Sequence, residues 1–162
     1  MDSQLILSII LSFLPFIELR GGLPVVVDYC LKNNLNIWPY FFLVILINIF
    51  IILFVFLFMD FLHIYFMKIK YYRVVMGKYL ERVKKKGKYL ENREGLLLYI
   101  LLCIFVAIPL PGTGAWTGAV LAWLLGLNRK ESFISLSIGI LIAGFLVLGL
   151  SLGFLNLIHK IY

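Results

Sequence analysis

Two stretches of this chain, residues 37–59 and 132–158, contain no charged side chain. At 1.5 Å rise per residue a helix of either length crosses a hydrocarbon core of about 30 Å. They are spanning helices, and the rest of the 162 residues must fit around them as one membrane domain over residues 1–162. With 63% hydrophobic residues, 14% charged residues and a mean hydropathy of +1.04, the chain is not a soluble enzyme, a disordered linker or a nucleic-acid module. The expected class is an all-α integral membrane protein of at most four or five crossings.

Two further apolar blocks are interrupted. The first begins at Leu5, and its uninterrupted part ends at Ile17, before Glu18, Arg20, Gly21, Gly22 and Pro24. The second begins at Leu96 and meets Pro109, Leu110, Pro111, Gly112, Thr113 and Gly114. Thirteen residues precede each break, enough for a helix of roughly 20 Å, which is too short to cross. A second short helix is expected after each, from Pro24 to about Leu31 and from about Gly114 to Leu127. A helix, a Pro/Gly break and a short helix describe a re-entrant hairpin, which is tolerated at membrane depth only where protein or a water-filled cavity covers the freed backbone. The predicted architecture is a re-entrant helical hairpin plus a transmembrane helix, present twice in inverted orientation. Repeat 1 covers about 1–66, a basic loop 67–95, and repeat 2 about 96–162. Inverted repeats with broken helices in corresponding positions mark a transporter with its site at the midplane.

The net charge of +7 resides in one place. Residues 68–95 hold ten of the fifteen Lys and Arg and three of the eight acids. A basic loop between apolar blocks is an orientation signal, which puts it on the cytoplasmic side of the cell membrane and argues against a nucleic-acid partner. With two hairpins both termini face outward. Four full crossings put the loop inside as well, and charge counting does not separate the two arrangements. Apolar residues from Ile69 to Val83 recur at helical spacing, as in a basic amphipathic helix lying on the lipid surface, and Gly-Lys-Tyr-Leu-Glu occurs at both Gly77 and Gly87. Cys30 and Cys103 stand singly, so no metal site and no disulfide framework is indicated; no cofactor, catalytic triad or P-loop is expected either. Met1-Asp2-Ser3-Gln4 has no basic n-region, so a cleaved signal peptide is not expected.

The run Glu18-Leu19-Arg20-Gly21-Gly22-Leu23-Pro24 and the run from Pro109 to Gly118 resemble the two signature segments of the small multidrug export family. More distantly the layout is similar to the DedA, or VTT, superfamily, in which paired re-entrant hairpins face each other. The chain departs from that pattern where Thr113 replaces the acidic residue after Pro-Gly. The resemblance spans residues 5–158. It implies transport, of drugs by the family's name, or of polyprenyl-phosphate carriers or phospholipids by analogy with the superfamily.

The residues themselves point to chemistry. Charges near the bilayer centre are costly, so Glu18 and Arg20 form a site hypothesis by default, as a structural ion pair or as a functional one. Gly21 and Gly22 would let the backbone expose N–H groups, and Pro24 suits the first turn of a helix whose N-terminus attracts phosphate or carboxylate. Arg20 would add a bidentate fork. In the second segment Thr113 is a candidate N-cap, while Pro109, Pro111, Gly112 and Gly114 shape a turn that a ligand approaches closely. Two helix N-termini would then converge on one anion; the alternative is a kink in a long spanning helix. Asn48 and Trp116 are path-lining candidates, Asn48 otherwise bonding a hairpin backbone group and Trp116, with Trp123, otherwise packing or anchoring at the interface. Asp60 and His63 share one helix face.

Small residues at spacing four, Gly114-Gly118-Ala122-Gly126, Gly139-Ala143 and Gly149-Gly153, suit packing within the chain or a homodimer. The favoured function is a small transporter, a flippase or scramblase, for an amphiphile with an anionic head, with membrane lipids as partners. The alternatives are a multidrug exporter for cations, with proton or sodium coupling, in which Glu18 exchanges a proton, and a non-transport membrane scaffold.

Overall fold

The structure, a computed structural model, describes residues 3–15, 17–68 and 93–161. The amphipathic helix expected from Ile69 to Val83 and the repeated Gly-Lys-Tyr-Leu-Glu peptide lie outside the described residues. Those described form six helices and their turns: α1 (Ser3–Phe13), α2 (Glu18–Lys32), α3 (Ile37–Phe66), α4 (Arg93–Ala107), α5 (Ala115–Leu124) and α6 (Arg129–Ile161). Two of them, α3 and α6, are long and apolar enough to cross a membrane. The others are short; α5, with ten residues, is only about 15 Å long.

The first interruption does not fall where the sequence suggested. Helix α2 runs unbroken through Gly21, Gly22 and Pro24, and the break falls instead between Phe13, where α1 ends, and Glu18, where α2 begins. Pro24 withdraws only the N–H that would bond the Arg20 carbonyl, which does not end a helix held by its neighbours. Nor does Gly22 serve to expose backbone to a ligand. A Cβ there would fall on Ser12 Oγ, and 2.7 Å from the Ser8 carbonyl. It is the point where α2 lies against α1, whose Ser8 and Ser12 are fully buried and bond back to the carbonyls of Leu5 and Ser8. The second interruption is as expected: α4 ends at Ala107 and α5 starts at Ala115.

Helix α2 rests on both α3 and α6, α5 rests more on α3 than on α6, and α3 meets α6. The short helices differ, however: α1 packs chiefly on α2, whereas α4 packs chiefly on α6 and touches α5 little. The core is built of Leu23, Val26, Val27, Phe41, Val44, Ile51, Ile52 and Leu136 with small residues between them. Large apolar side chains such as Leu46, Phe50, Leu57 and Phe61 face outward, while Glu18, Asn48, Ser132, Ser135 and Ser151 are buried. Such an inversion is costly in water and natural in lipid.

Asn48 donates to the Val44 carbonyl of its own helix at 3.0 Å, so the expected bond to a hairpin backbone is not formed. Of the small-residue series, Gly118 lies against Leu136 and Val106, and Gly139 against the Cys103 carbonyl, so both serve packing within the chain. Gly126, at φ +64°, ends α5 instead, with the Leu127 N–H returning to the Ala122 carbonyl at 3.1 Å. Around Gly149 and Gly153 a Cβ would meet open space.

Thermal unfolding in detergent should separate these roles. Gly139→Ala puts a Cβ 2.7 Å from the Cys103 carbonyl and should cost about 1–3 kcal/mol. Gly149→Ala should be neutral, or stabilise by up to about 1 kcal/mol through helix propensity.

Candidate functional site

The N-termini of α2 and α5 meet. Glu18, the first residue of α2, is 5% exposed, and its carboxylate crosses to the start of α5. Oε2 accepts from the Ala115 N–H and Oε1 from the Trp116 N–H, both at 3.0 Å. Glu18 adopts φ +49°, the left-handed region that costs a non-glycine residue about 1–2 kcal/mol. Its own N–H bonds the Leu14 carbonyl at 3.0 Å, which fixes the start of α2 so that the side chain enters the second helix pair.

That arrangement corrects the capping expected of Thr113. Gly114 is the N-cap of α5 and offers no side chain; Glu18 caps the helix from across the interface. Thr113 instead closes its own turn. Its hydroxyl lies 2.7 Å from the Ile108 carbonyl and 2.8 Å from the Leu110 carbonyl, donating to one of them, and it accepts from Arg20 Nη2 at 2.8 Å. Gly112 sits at φ +85°, which the Pro109–Pro111 turn requires and L side chains rarely adopt. Gly114 is a glycine for a different reason: a Cβ there would overlap the Glu18 carboxylate.

Glu18 and Arg20 do not close on each other as an ion pair. Among the described residues the ion pairs are Lys32–Asp28 and Arg129–Asp60. Arg20 reaches the Thr113 hydroxyl, and among the described residues this is its one hydrogen bond, leaving most of its guanidinium donors unspent. The structure thus brings together Glu18, Arg20, Thr113 and Gly114 with the first-turn N–H groups of α5. Gly21, Gly22 and Pro24 shape α2 behind them, and Pro109, Pro111 and Gly112 shape the opposing turn.

Trp116 packs between the two halves. Its Nε1 donates to the Phe13 carbonyl at 3.1 Å, and its ring lies edge-on to Phe13 and Phe54. A second polar junction was not read from the sequence as a unit: Trp123 Nε1 donates to Asp60 Oδ1 at 2.9 Å, and Arg129 grips both Asp60 oxygens at 2.7 Å. His63 lies edge-on to Trp123. The spacing of Asp60 and His63 gave one face, but nothing in the sequence brought Trp123 and Arg129 to it.

Two apolar helices of crossing length, two interrupted helical pairs and polar side chains turned inward define a small multi-pass α-helical membrane protein. A family model described as "Putative small multi-drug export protein" matches residues 18–146, more than three quarters of the chain, and the chain belongs to that family. No curated protein and no solved structure matches it. The family is a transport class and not an enzyme family, and the chain is a small membrane transport protein.

A double-mutant cycle tests the cap. Glu18→Ala should destabilise the protein by roughly 2–4 kcal/mol, since it strips a charged acceptor from two buried N–H groups. Gly114→Ala should cost a similar amount by expelling the carboxylate. The pair together should cost no more than Glu18→Ala alone, because the methyl then occupies the vacated space; additive losses in denaturation would show that the two positions do not share one space.

Proposed function

We propose that this protein moves an amphiphile with an anionic head group, of the polyprenyl-phosphate or phospholipid kind, whose head exchanges with Glu18 at the N-terminus of α5. The observation that carries the reading is that this N-terminus already holds an anion. Two first-turn N–H groups and the positive end of the helix dipole grip the Glu18 carboxylate. A phosphate offers the same geometry with more oxygens, and Arg20 supplies a planar fork with donors to spare. On leaving the N–H groups, Glu18 would have Arg20 within the same helical turn.

The family's description names multi-drug export, and the alternative is an exporter, which would be proton-coupled and take cationic compounds. Against it, the Glu18 carboxylate is spent on backbone N–H groups, and Arg20, a permanent cation two residues further on, weakens any cation site. The packing of α5 on α3, and of α2 on α6 as well as on α3, is compatible with the inverted-repeat reading of the fold, with alternating access by rocking of one repeat against the other.

Two experiments test the proposal. In vesicles carrying a fluorescent polyprenyl phosphate or phospholipid, Arg20→Lys should lose most of the flux per folded molecule and Arg20→Ala nearly all of it, because an ammonium lacks the fork. Thr113→Val should lose less, its loss corresponding to about 1 kcal/mol. Full flux in a well-folded Arg20→Ala protein would remove the anion site, and proton-driven export of organic cations with no lipid flux would establish the alternative. For topology, single cysteines at Asn34 and Lys160 should react with an impermeant thiol reagent from outside, and one at Lys85 from inside. Asn34 outside with Lys160 inside would mean four crossings.

A further inference from the structure

Two carboxylates of the first half grip one helix of the second. Trp116, near the start of α5, lies edge-on to Phe54, while Trp123, near its end, donates to Asp60 at 2.9 Å and packs on His63. Phe54 and Asp60 are about 9 Å apart along α3, and the two tryptophans about 10 Å apart along α5. The two helices therefore run side by side in the same direction. Glu18 holds the first residues of α5, and Asp60 holds its last turn and the start of α6. The second grip is the accessible one: Glu18 is buried, whereas the Asp60 and Arg129 side chains are 30% and 59% exposed.

Behind that grip stands Ser132, which is fully buried and whose hydroxyl has no hydrogen-bond partner among the described residues. Ser8, Ser12, Ser135, Ser137 and Ser151 all donate to a carbonyl, as serines in apolar helices commonly do. Ser132 sends only its N–H to the Asn128 carbonyl, at 2.9 Å. Its place follows from helical spacing, since Arg129, Ser132 and Leu136 lie in turn along one face of α6. Arg129 holds Asp60 at one end of that stripe, and Leu136, fully buried, lies against Gly118 of α5 at the other. Gly118 is one helical turn from Gly114, where the Glu18 carboxylate sits. A buried hydroxyl without a protein partner is costly and calls for water or a ligand group. One turn inward of a partly exposed ion pair, it marks the point that such a group reaches when the pair parts.

We propose that the Asp60–Arg129–Trp123 junction is a latch on the route from the end of α3 to the Glu18 seat, with Ser132 the first polar group inside it. What travels the route rests on the anion reading of that seat; the latch itself does not. Parting Asp60 from Arg129 frees the guanidinium fork for a phosphate head, releases the end of α5 through Trp123, and lets the Ser132 hydroxyl meet what enters. Latch and seat then work by one exchange, in which a carboxylate of the first half yields donors of the second to a phosphate.

Accessibility at position 132 reads the latch without reading transport. The full-length chain in phosphatidylcholine nanodiscs, with Cys30→Ala, Cys103→Ala and Ser132→Cys, is timed in its reaction with iodoacetamide, whose neutrality removes any bias from the lost Asp60 charge. The reaction should be slow with the latch intact and about fivefold faster in Asp60→Asn, the worth of one partly exposed ion pair. Trp123→Phe, which keeps a ring and drops the N–H, should speed it less, and Asp60→Arg with Arg129→Asp should react more slowly than either reversal alone. A thiol introduced by Ser8→Cys, buried where α1 meets α2, should respond to none of these. An unchanged rate at position 132 in Asp60→Asn, or a rise shared by position 8, would overturn the latch. Where Ser132→Cys does not fold, deuterium uptake in Asp60→Asn alone should rise across residues 115–124 and not across 22–32, and equal uptake with and without Asp60→Asn would overturn it as well. Short-chain polyprenyl phosphate should speed the reaction of the latched protein, whereas Arg129→Gln should react fast with or without it. A latch that opens in Asp60→Asn yet ignores the phosphate stands as a water gate and overturns the anion reading of Glu18 instead.

Discussion

Two helix N-termini cannot be brought together in a low-dielectric interior without a negative charge between them, because each carries about half a positive charge. In this protein Glu18 provides that charge. Its carboxylate belongs to the first residue of α2 and is held by the first two N–H groups of α5. The left-handed backbone at Glu18, the closed Pro109–Gly112 turn held by Thr113 and the missing side chain at Gly114 all serve this one contact. Removing or neutralising the carboxylate would leave the two positive ends facing each other.

Close approach of helices does the rest. Without a hydrophobic driving force between helices in lipid, association depends on small residues that let backbones meet. Gly22 against Ser12, Gly118 against Leu136 and Gly139 against the Cys103 carbonyl are such points, spread over both halves. The Asp60–Arg129–Trp123 junction ties the end of α3 to the end of α5 and the start of α6, so the halves are fastened both at the Glu18 contact and at the end of α3.

The sequence made the spanning helices legible, since 37–59 and 132–158 carry no charge, and it marked both broken segments by Pro and Gly beside polar residues. It misplaced the first break because Gly21, Gly22 and Pro24 are poor helix formers by intrinsic propensity, while tertiary packing on α1 overrides that propensity. It selected Glu18, Arg20 and Thr113 but not their partners. A carboxylate capping a helix nearly a hundred residues away leaves no local pattern, so Thr113, adjacent to the helix start, was the only cap that spacing could suggest.

The central claim is that the N-terminus of α5 is an anion seat which Glu18 fills and yields. The most direct measurement is the infrared difference spectrum of Glu18, identified by its loss in Glu18→Gln, when a short-chain polyprenyl phosphate is added to the protein in nanodiscs. The account predicts that the phosphate-headed amphiphile shifts the Glu18 carboxyl band and that a cationic amphiphile of the same chain length leaves it unchanged. A Glu18 band that responds to the cation and not to the phosphate would contradict it.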